Sequence, residues 1–187
     1  PYTSITHSFG KVFLTAFLNR KIILWNRQGH EFYGTSRKNL IKNLSWIQWR
    51  ANKLNDFAKK LYDSVKKIKP QCLVTWAPSI YPWSLEQYLQ DWPRWLKEGY
   101  ADIIIPQVYR YQIENYANTL KAIANQIPPS FKKKIYPGIL TSLGDGYRVD
   151  SVLFDKMISL NRAEGYQGEV LFYYETIKEA KNILYKN

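Results

Sequence analysis

Glu175 closes the run EVLFYYE (169–175), so its carboxyl directly follows an apolar stretch where burial would raise its pKa. A carboxyl of that kind suits acid–base work on a glycosidic bond. Such cleavage needs two carboxyl groups, one to protonate the leaving oxygen and one to act as nucleophile or base. The same position also suits a glutamate in the first turn of a helix, and the residues alone leave both roles open. Asp145 stands between Gly144 and Gly146 and reads as a turn former. Asp102 precedes the apolar run IIIPQVY and is expected to be structural, at the opposite end of its strand.

Around these acids lie aromatic and amide side chains. TWAPSIYPW supplies Trp76, Tyr81 and Trp83; PQVYRY supplies Gln107, Tyr109, Arg110 and Tyr111; FYYE adds Tyr174. The chain holds 7 Trp, 15 Tyr and 8 Phe, and flat rings with polar edges stack on sugar faces while amides and phenols reach hydroxyls. A polyhydroxylated ligand fits this set, and Arg110 is expected to pair with a neighbouring carboxylate. His7 and His30 stand far apart with no ligand cluster at metal spacing, so no metal or cofactor is expected. No G-x-G-x-x-G, P-loop or G-x-S-x-G occurs, which removes the usual signatures of nucleotide chemistry and serine hydrolysis.

The elements that must position these residues alternate. QCLVTW (71–76), DIIIPQVY (102–109), KIYPGILT (134–141) and EVLFYY (169–174) read as strands buried on both faces. Between them SLEQYLQDWPRWLKEG, IENYANTLKAIANQI and VDSVLFDKMISLNRAEG have helical spacing. Ser84 and Gln87 fit a capping box, Pro93 opens or breaks a helix, and Asp150 and Gly165 bound the third segment. Pro106 is expected to end regular pairing in its strand. Upstream, LSWIQWRANKLNDFAKKLYDSVKKIKP is the longest helical pattern, with Ile47, Leu54, Phe57, Leu61, Val65 and Ile68 on one side and Ser45 and Gln48 in capping-box positions. Downstream, ETIKEAKNILYKN reads as a short final helix, and KVFLTAFLNRKIILWN near the start as a strand or a short amphipathic helix. Strand candidates about thirty residues apart imply an α/β fold of parallel βα units. An open doubly wound sheet and part of a (β/α)8 barrel both fit, and a complete barrel needs about 250 residues against the 187 here.

The formal net charge of +12 is uneven: residues 1–70 hold 14 Lys and Arg against 3 Asp and Glu, and the remainder hold 13 against 12. A solvated helix face accounts for this more simply than nucleic-acid binding. Cys72, the only cysteine, lies in an apolar run and is expected to be a buried small hydrophobe. No segment has the length and apolarity of a transmembrane helix, and no signal-peptide pattern opens the chain, which begins at Pro1.

WIQWRANKLNDFAKKLYDSVKKIKP, then YLQDWPRWLKEGYADIIIPQVYRY, then GYQGEVLFYYE resemble the C-terminal half of the family 10 glycosyl-hydrolase-like proteins, over roughly Trp46 to Glu175. The carried positions are Trp49, Arg50, Lys53, Asn55 and Asp56 on the long helix, Pro106, Gln107 and Tyr109 at a strand exit, and Phe172 to Glu175 at the last strand. The resemblance implies a truncated TIM-type barrel of about four C-terminal βα units in 46–187, behind a poorly defined basic segment, 1–45. It also implies a cell-envelope or secreted location and a glycan substrate. The family's strand ending in paired aspartates has no counterpart here, so weak or absent hydrolysis and an open sheet edge prone to self-association are expected. A noncatalytic carbohydrate-binding domain and a basic nucleic-acid or membrane-surface binder using residues 1–70 are the alternatives.

Overall fold

The computed structural model describes residues 44–143 and 146–173. The chain divides into two compact units, Pro1–Trp46 and Ile47–Asn187, and all but the first residues of the elements below belong to the second. His7, His30, Asp145, Tyr174, Glu175, the run KVFLTAFLNRKIILWN, the final helix, and all of segment 1–45 except Leu44 and Ser45 lie outside the described residues.

Helix α1 (Leu44–Ile68) leads to β1 (Thr75–Trp76), followed by α2 (Trp83–Tyr88), α3 (Trp92–Lys97) and β2 (Ile103–Ile104). Then come α4 (Ile113–Ala124), a 3-10 turn (Pro129–Lys134), β3 (Gly138–Leu140), α5 (Ser151–Ala163) and β4 (Val170–Phe172). β1 pairs with β2 and β3 with β4, both parallel, and parallel bridges Ile104↔Ile135 and Gln107↔Gly138 join β2 to β3. The fold is therefore α/β, with parallel strands lying side by side in chain order.

Alternation along each strand divides the sheet into two faces. Trp76, Ile104, Ile139 and Leu171 pack into a core with Trp95, Leu96, Tyr116, Leu120, Phe154 and Met157 from the helices. The helices form where expected. Pro93 sits in the first turn of α3, where its missing N–H has no helical partner to lose. Asp150 caps α5 by accepting from the Leu153 N–H at 2.9 Å, and Gly165 ends that segment with φ +81°, a conformation that favours glycine. Tyr116, Leu120 and Ile123 form the buried stripe of α4, with Ile127 just beyond it.

Several expectations change. The strands are only two or three residues long, and Gln71 to Leu73 form an exposed approach to β1, so Cys72 is exposed rather than buried. β4 is not covered on both faces: Val170 is 39% and Phe172 42% exposed, because helices cover only the face that carries Leu171. The buried stripe of α1 is Ile47, Ala51, Asn55 and Ala58, while Phe57 and Ile68 are 55% and 82% exposed. The inner side of α1 is made of small residues and Asn55, which accepts from the Trp95 indole N–H of α3 at 2.6 Å, so bulk alone misplaces it. Neither capping box forms as read: Ser45 lies inside α1, and Ser84 lies inside α2, where its hydroxyl donates to the Gln90 carbonyl at 2.9 Å.

Regular β2 ends before Pro106, yet pairing continues past it. The Gln107 N–H donates to the Pro78 carbonyl at 2.9 Å, and the Pro106 carbonyl accepts from the Gly138 N–H at 2.8 Å. Backbone groups alternate sides along a parallel strand, so proline removes one donor and leaves its neighbours' bonds intact.

Candidate functional site

The strand exits gather at one end of the sheet, where the connecting loops are free to carry function. The second exit is held by Gln107, whose Nε2 donates to the Ala77 carbonyl at 2.9 Å and so ties the β2 exit to the β1 exit. Two residues on, Tyr109 leans across β3. Its ring lies 5.3 Å from that of Phe172 in β4, centroid to centroid and tilted by 36°. Gly138, in the strand between, makes this crossing possible: a Cβ there would stand 3.4 Å from the Tyr109 ring and 3.1 Å from the Pro106 carbonyl oxygen. Burial pushes the Tyr109 phenol up, so it stays a neutral donor.

Beyond this pair, Phe172 packs at 5.2 Å against Tyr173 with the rings tilted by 56°, and the Thr141 hydroxyl donates to the Phe172 carbonyl at 2.6 Å. The chain after β3 turns back on itself, with the Val149 N–H on the Thr141 carbonyl and the Leu143 N–H on the Tyr147 carbonyl. That return brings Tyr147 edge-to-face against Tyr111, 4.7 Å between centroids. Burial raises the Tyr147 phenol, while Tyr111 is 56% exposed.

The first exit is an aromatic ridge. Tyr81 meets Trp92 edge-to-face at 6.3 Å, and Trp83, 50% exposed, meets Tyr88 at 4.9 Å. Burial raises the Tyr81 phenol, with Asp91 and Glu86 adding to the shift. Trp76 lies inside this ridge: its indole N–H donates to the Tyr100 carbonyl at 3.0 Å, and its ring packs 5.1 Å from Trp95. It therefore faces the helix layer.

Tyr109, Phe172 and Tyr173 are brought together at the centre, Gln107 reaches back to the first exit, Tyr111 meets the half-buried Tyr147, Trp83 and Tyr88 form an exposed pair, and Tyr174 and Glu175 are outside the described residues. Among the described residues Arg110 pairs with no carboxylate; it donates to the Thr119 hydroxyl at 3.1 Å and the Tyr109 carbonyl at 2.9 Å, which anchors the exit loop to α4. Asp102 is structural and at the far end, as expected. Its carboxylate accepts from the Val74 N–H at 2.7 Å and the Tyr62 hydroxyl at 3.0 Å, and pairs with Lys66 at 2.8 Å.

Sequence reading passed over Gly138, Thr141, Tyr147 and Asp91, and reached Phe172 only through the family resemblance. A glycine within an apolar strand is a signal of close approach and points to the first. Asp91 heads α3 half-buried; burial raises its carboxyl, against the pull of Arg94. A cleft of about 560 Å³ lies elsewhere, between α4 and α5, lined by Ile113, Val152, Asp155 and Leu160 among others, on the helix layer and away from this cluster.

A family model described as glycosyl hydrolase-like 10 matches residues 2–143. The match takes in the segment before Trp46, which the sequence motifs connect to that family only loosely, and stops short of FYYE. No curated protein matches the chain. Among solved structures, the PgaB (BpsB) glycoside hydrolase domain from Bordetella bronchiseptica is similar, with a TM-score of 0.61 and 16% identity over 78% of this chain and 43% of that one. At that identity the likeness speaks for the fold alone, and this chain spans less than half of that domain.

Proposed function

Because the chain belongs to the glycosyl hydrolase-like 10 family, we propose that its strand exits bind a glycan and serve O-glycosyl hydrolysis by carboxylate acid–base chemistry. The observation that carries the reading is the Tyr109–Phe172 pair, with the Gln107 amide two residues earlier on the same exit: two rings and an amide on the carboxyl edge of a parallel sheet, offering a ring face and hydrogen-bonding groups. In this reading residues 46–187 are four βα units of a partial (β/α)8 barrel. Parallel neighbours in unbroken chain order support it, since a doubly wound sheet reverses its order at a switch point.

Tyr109 and Gln107 hold one sugar ring, while Tyr81, Trp83, Tyr111 and Tyr174 extend the contact to either side. Trp76 supports the rim from the helix side. Glu175 protonates the leaving oxygen or attacks the anomeric carbon, and a second carboxyl contributed from outside the four units completes the pair.

The test is calorimetric binding of an oligosaccharide panel together with an assay for released reducing ends. Glu175→Gln is expected to retain binding and lose turnover, whereas a parent chain that binds no glycan sinks the proposal. A second reading, a noncatalytic carbohydrate-binding domain, is favoured by one fact: every candidate binding residue that the structure describes is a neutral aromatic or amide. Binding without turnover in the parent chain would select it.

A further inference from the structure

The opposite, amino edge of the sheet carries a different chemistry. Each segment that precedes a strand ends there, and three of them deliver lysines: Lys67 in the last turn of α1 and Lys69 just after it, Lys97 at the end of α3, and Lys133 in the turn before β3. All four are exposed and pair with no carboxylate among the described residues, unlike Lys66, which is engaged with Asp102. Adjacent strands are about 4.8 Å apart, so β1 to β3 spans only about 10 Å. Lysines near helix C-termini complement the helix dipole, and that alone would account for their placement.

It does not account for what stands among them. Ile68, the last residue of α1, is 82% exposed and Leu73, beyond the turn that follows, 61% exposed, and the segment between them is fixed in place. The Lys66 ammonium donates to the Cys72 carbonyl at 2.7 Å, the Lys69 N–H to the Val65 carbonyl at 2.8 Å, and the Cys72 N–H to the Lys69 carbonyl at 3.0 Å. Two large aliphatic side chains held in water between free ammonium groups match the requirements of a bilayer interface. Apolar side chains enter the headgroup–acyl boundary, and lysines meet anionic headgroups. Nucleic acid would use the lysines and leave Ile68 and Leu73 idle.

We propose that this amino edge is a contact surface for an anionic lipid bilayer, with Ile68 and Leu73 inserted and Lys67, Lys69, Lys97 and Lys133 on the phosphates. The docked sheet then holds its strand exits, and the glycan site there, away from the membrane. The surface stands on its own evidence and does not depend on that site.

Co-flotation of the full chain with vesicles tests the surface. Binding to mixed phosphatidylglycerol–phosphatidylcholine vesicles is expected to exceed binding to phosphatidylcholine alone and to weaken as salt rises. Ile68→Ser with Leu73→Ser should weaken it by about ten-fold or more, and Lys67→Glu with Lys69→Glu by at least about 25-fold, at about five-fold per lysine lost. Lys133→Glu, on a separate connection, should weaken it by about five-fold or more. An environment-sensitive dye on Cys72 should shift to the blue when vesicles are added. Near-UV circular dichroism checks that each variant remains folded. Lack of preference for phosphatidylglycerol overturns the proposal, as does undiminished binding by the serine variant. Equal affinity for duplex DNA that ignores the serine substitutions assigns the lysines to nucleic acid instead and also overturns it.

Discussion

Tyr109, beyond the end of β2, and Phe172, in β4, hold their rings 5.3 Å apart although β3 lies between their strands. The ring crosses over Gly138, the one position in β3 without a side chain to obstruct it. A residue that is silent in chemical terms thus decides whether these two aromatic rings meet.

Gly138→Ala is expected to push Tyr109 away from Phe172 and to destabilise the domain by about 1–3 kcal/mol, because the added methyl comes within 3.1 Å of the Pro106 carbonyl, which is itself held by its bond from the Gly138 N–H. Denaturant unfolding gives the stability change, and glycan affinity should fall with it.

Tyr109→Phe and Tyr109→Ala separate the phenol from the ring. The Phe variant should keep the contact with Phe172 and lose only the hydroxyl's hydrogen bond to ligand. The Ala variant should lose the stacking face and an aromatic pair of about 0.5–1.5 kcal/mol. Equal glycan affinity in parent, Phe and Ala would remove Tyr109 from the site.

Tyr116→Phe should destabilise by about 1–3 kcal/mol, because it strips the hydroxyl that donates at 2.9 Å to Asn161 Oδ1 and leaves a fully buried acceptor without its donor. Glycan affinity at the strand exits should be unchanged, which makes this variant the control for damage to packing alone.

Asp102 gives a pH dependence of defined sign. Burial by itself would raise its carboxyl, but Lys66, the Val74 N–H and the Tyr62 hydroxyl outweigh burial and hold it below the ordinary value. A carboxyl depressed in the folded state contributes stability that is complete above the unfolded pKa of about 3.9 and is lost as pH falls through the folded value. Melting temperatures of parent and Asp102→Asn should therefore differ at neutral pH and converge below about pH 4.

Cys72 should react with a thiol reagent under native conditions at close to the rate of the unfolded chain, since it is exposed on the turn before β1. Slow labelling that speeds up only in denaturant would contradict the exposed connection that links Ile68 to Leu73.

Much of this architecture is legible in the sequence because it is local. Helical spacing in IENYANTLKAIANQI, the Asp150 cap and the Pro93 start depend on contacts within a few residues, and each forms as read. The parallel α/β class follows from strand candidates separated by helices, and the role of Asp102 from its place ahead of an apolar run. IIIPQVYRY also marks its own exit.

Tertiary structure decided what depends on which residues meet across strands. Bulk placed Phe57 and Ile68 on the inner side of α1, but the buried stripe is Ala51, Asn55 and Ala58, with Asn55 accepting from the Trp95 indole N–H of α3, so small volume and a polar match decide what faces inward. Apolar neighbours suggested a buried Cys72, but burial belongs to the finished packing and not to the run of residue types. The meeting of Tyr109 with Phe172 over Gly138, and of Tyr111 with Tyr147 through a returning loop, joins residues from separate βα units. Periodicity fixes which residues share a face within one element, whereas the register between elements fixes which of those faces touch.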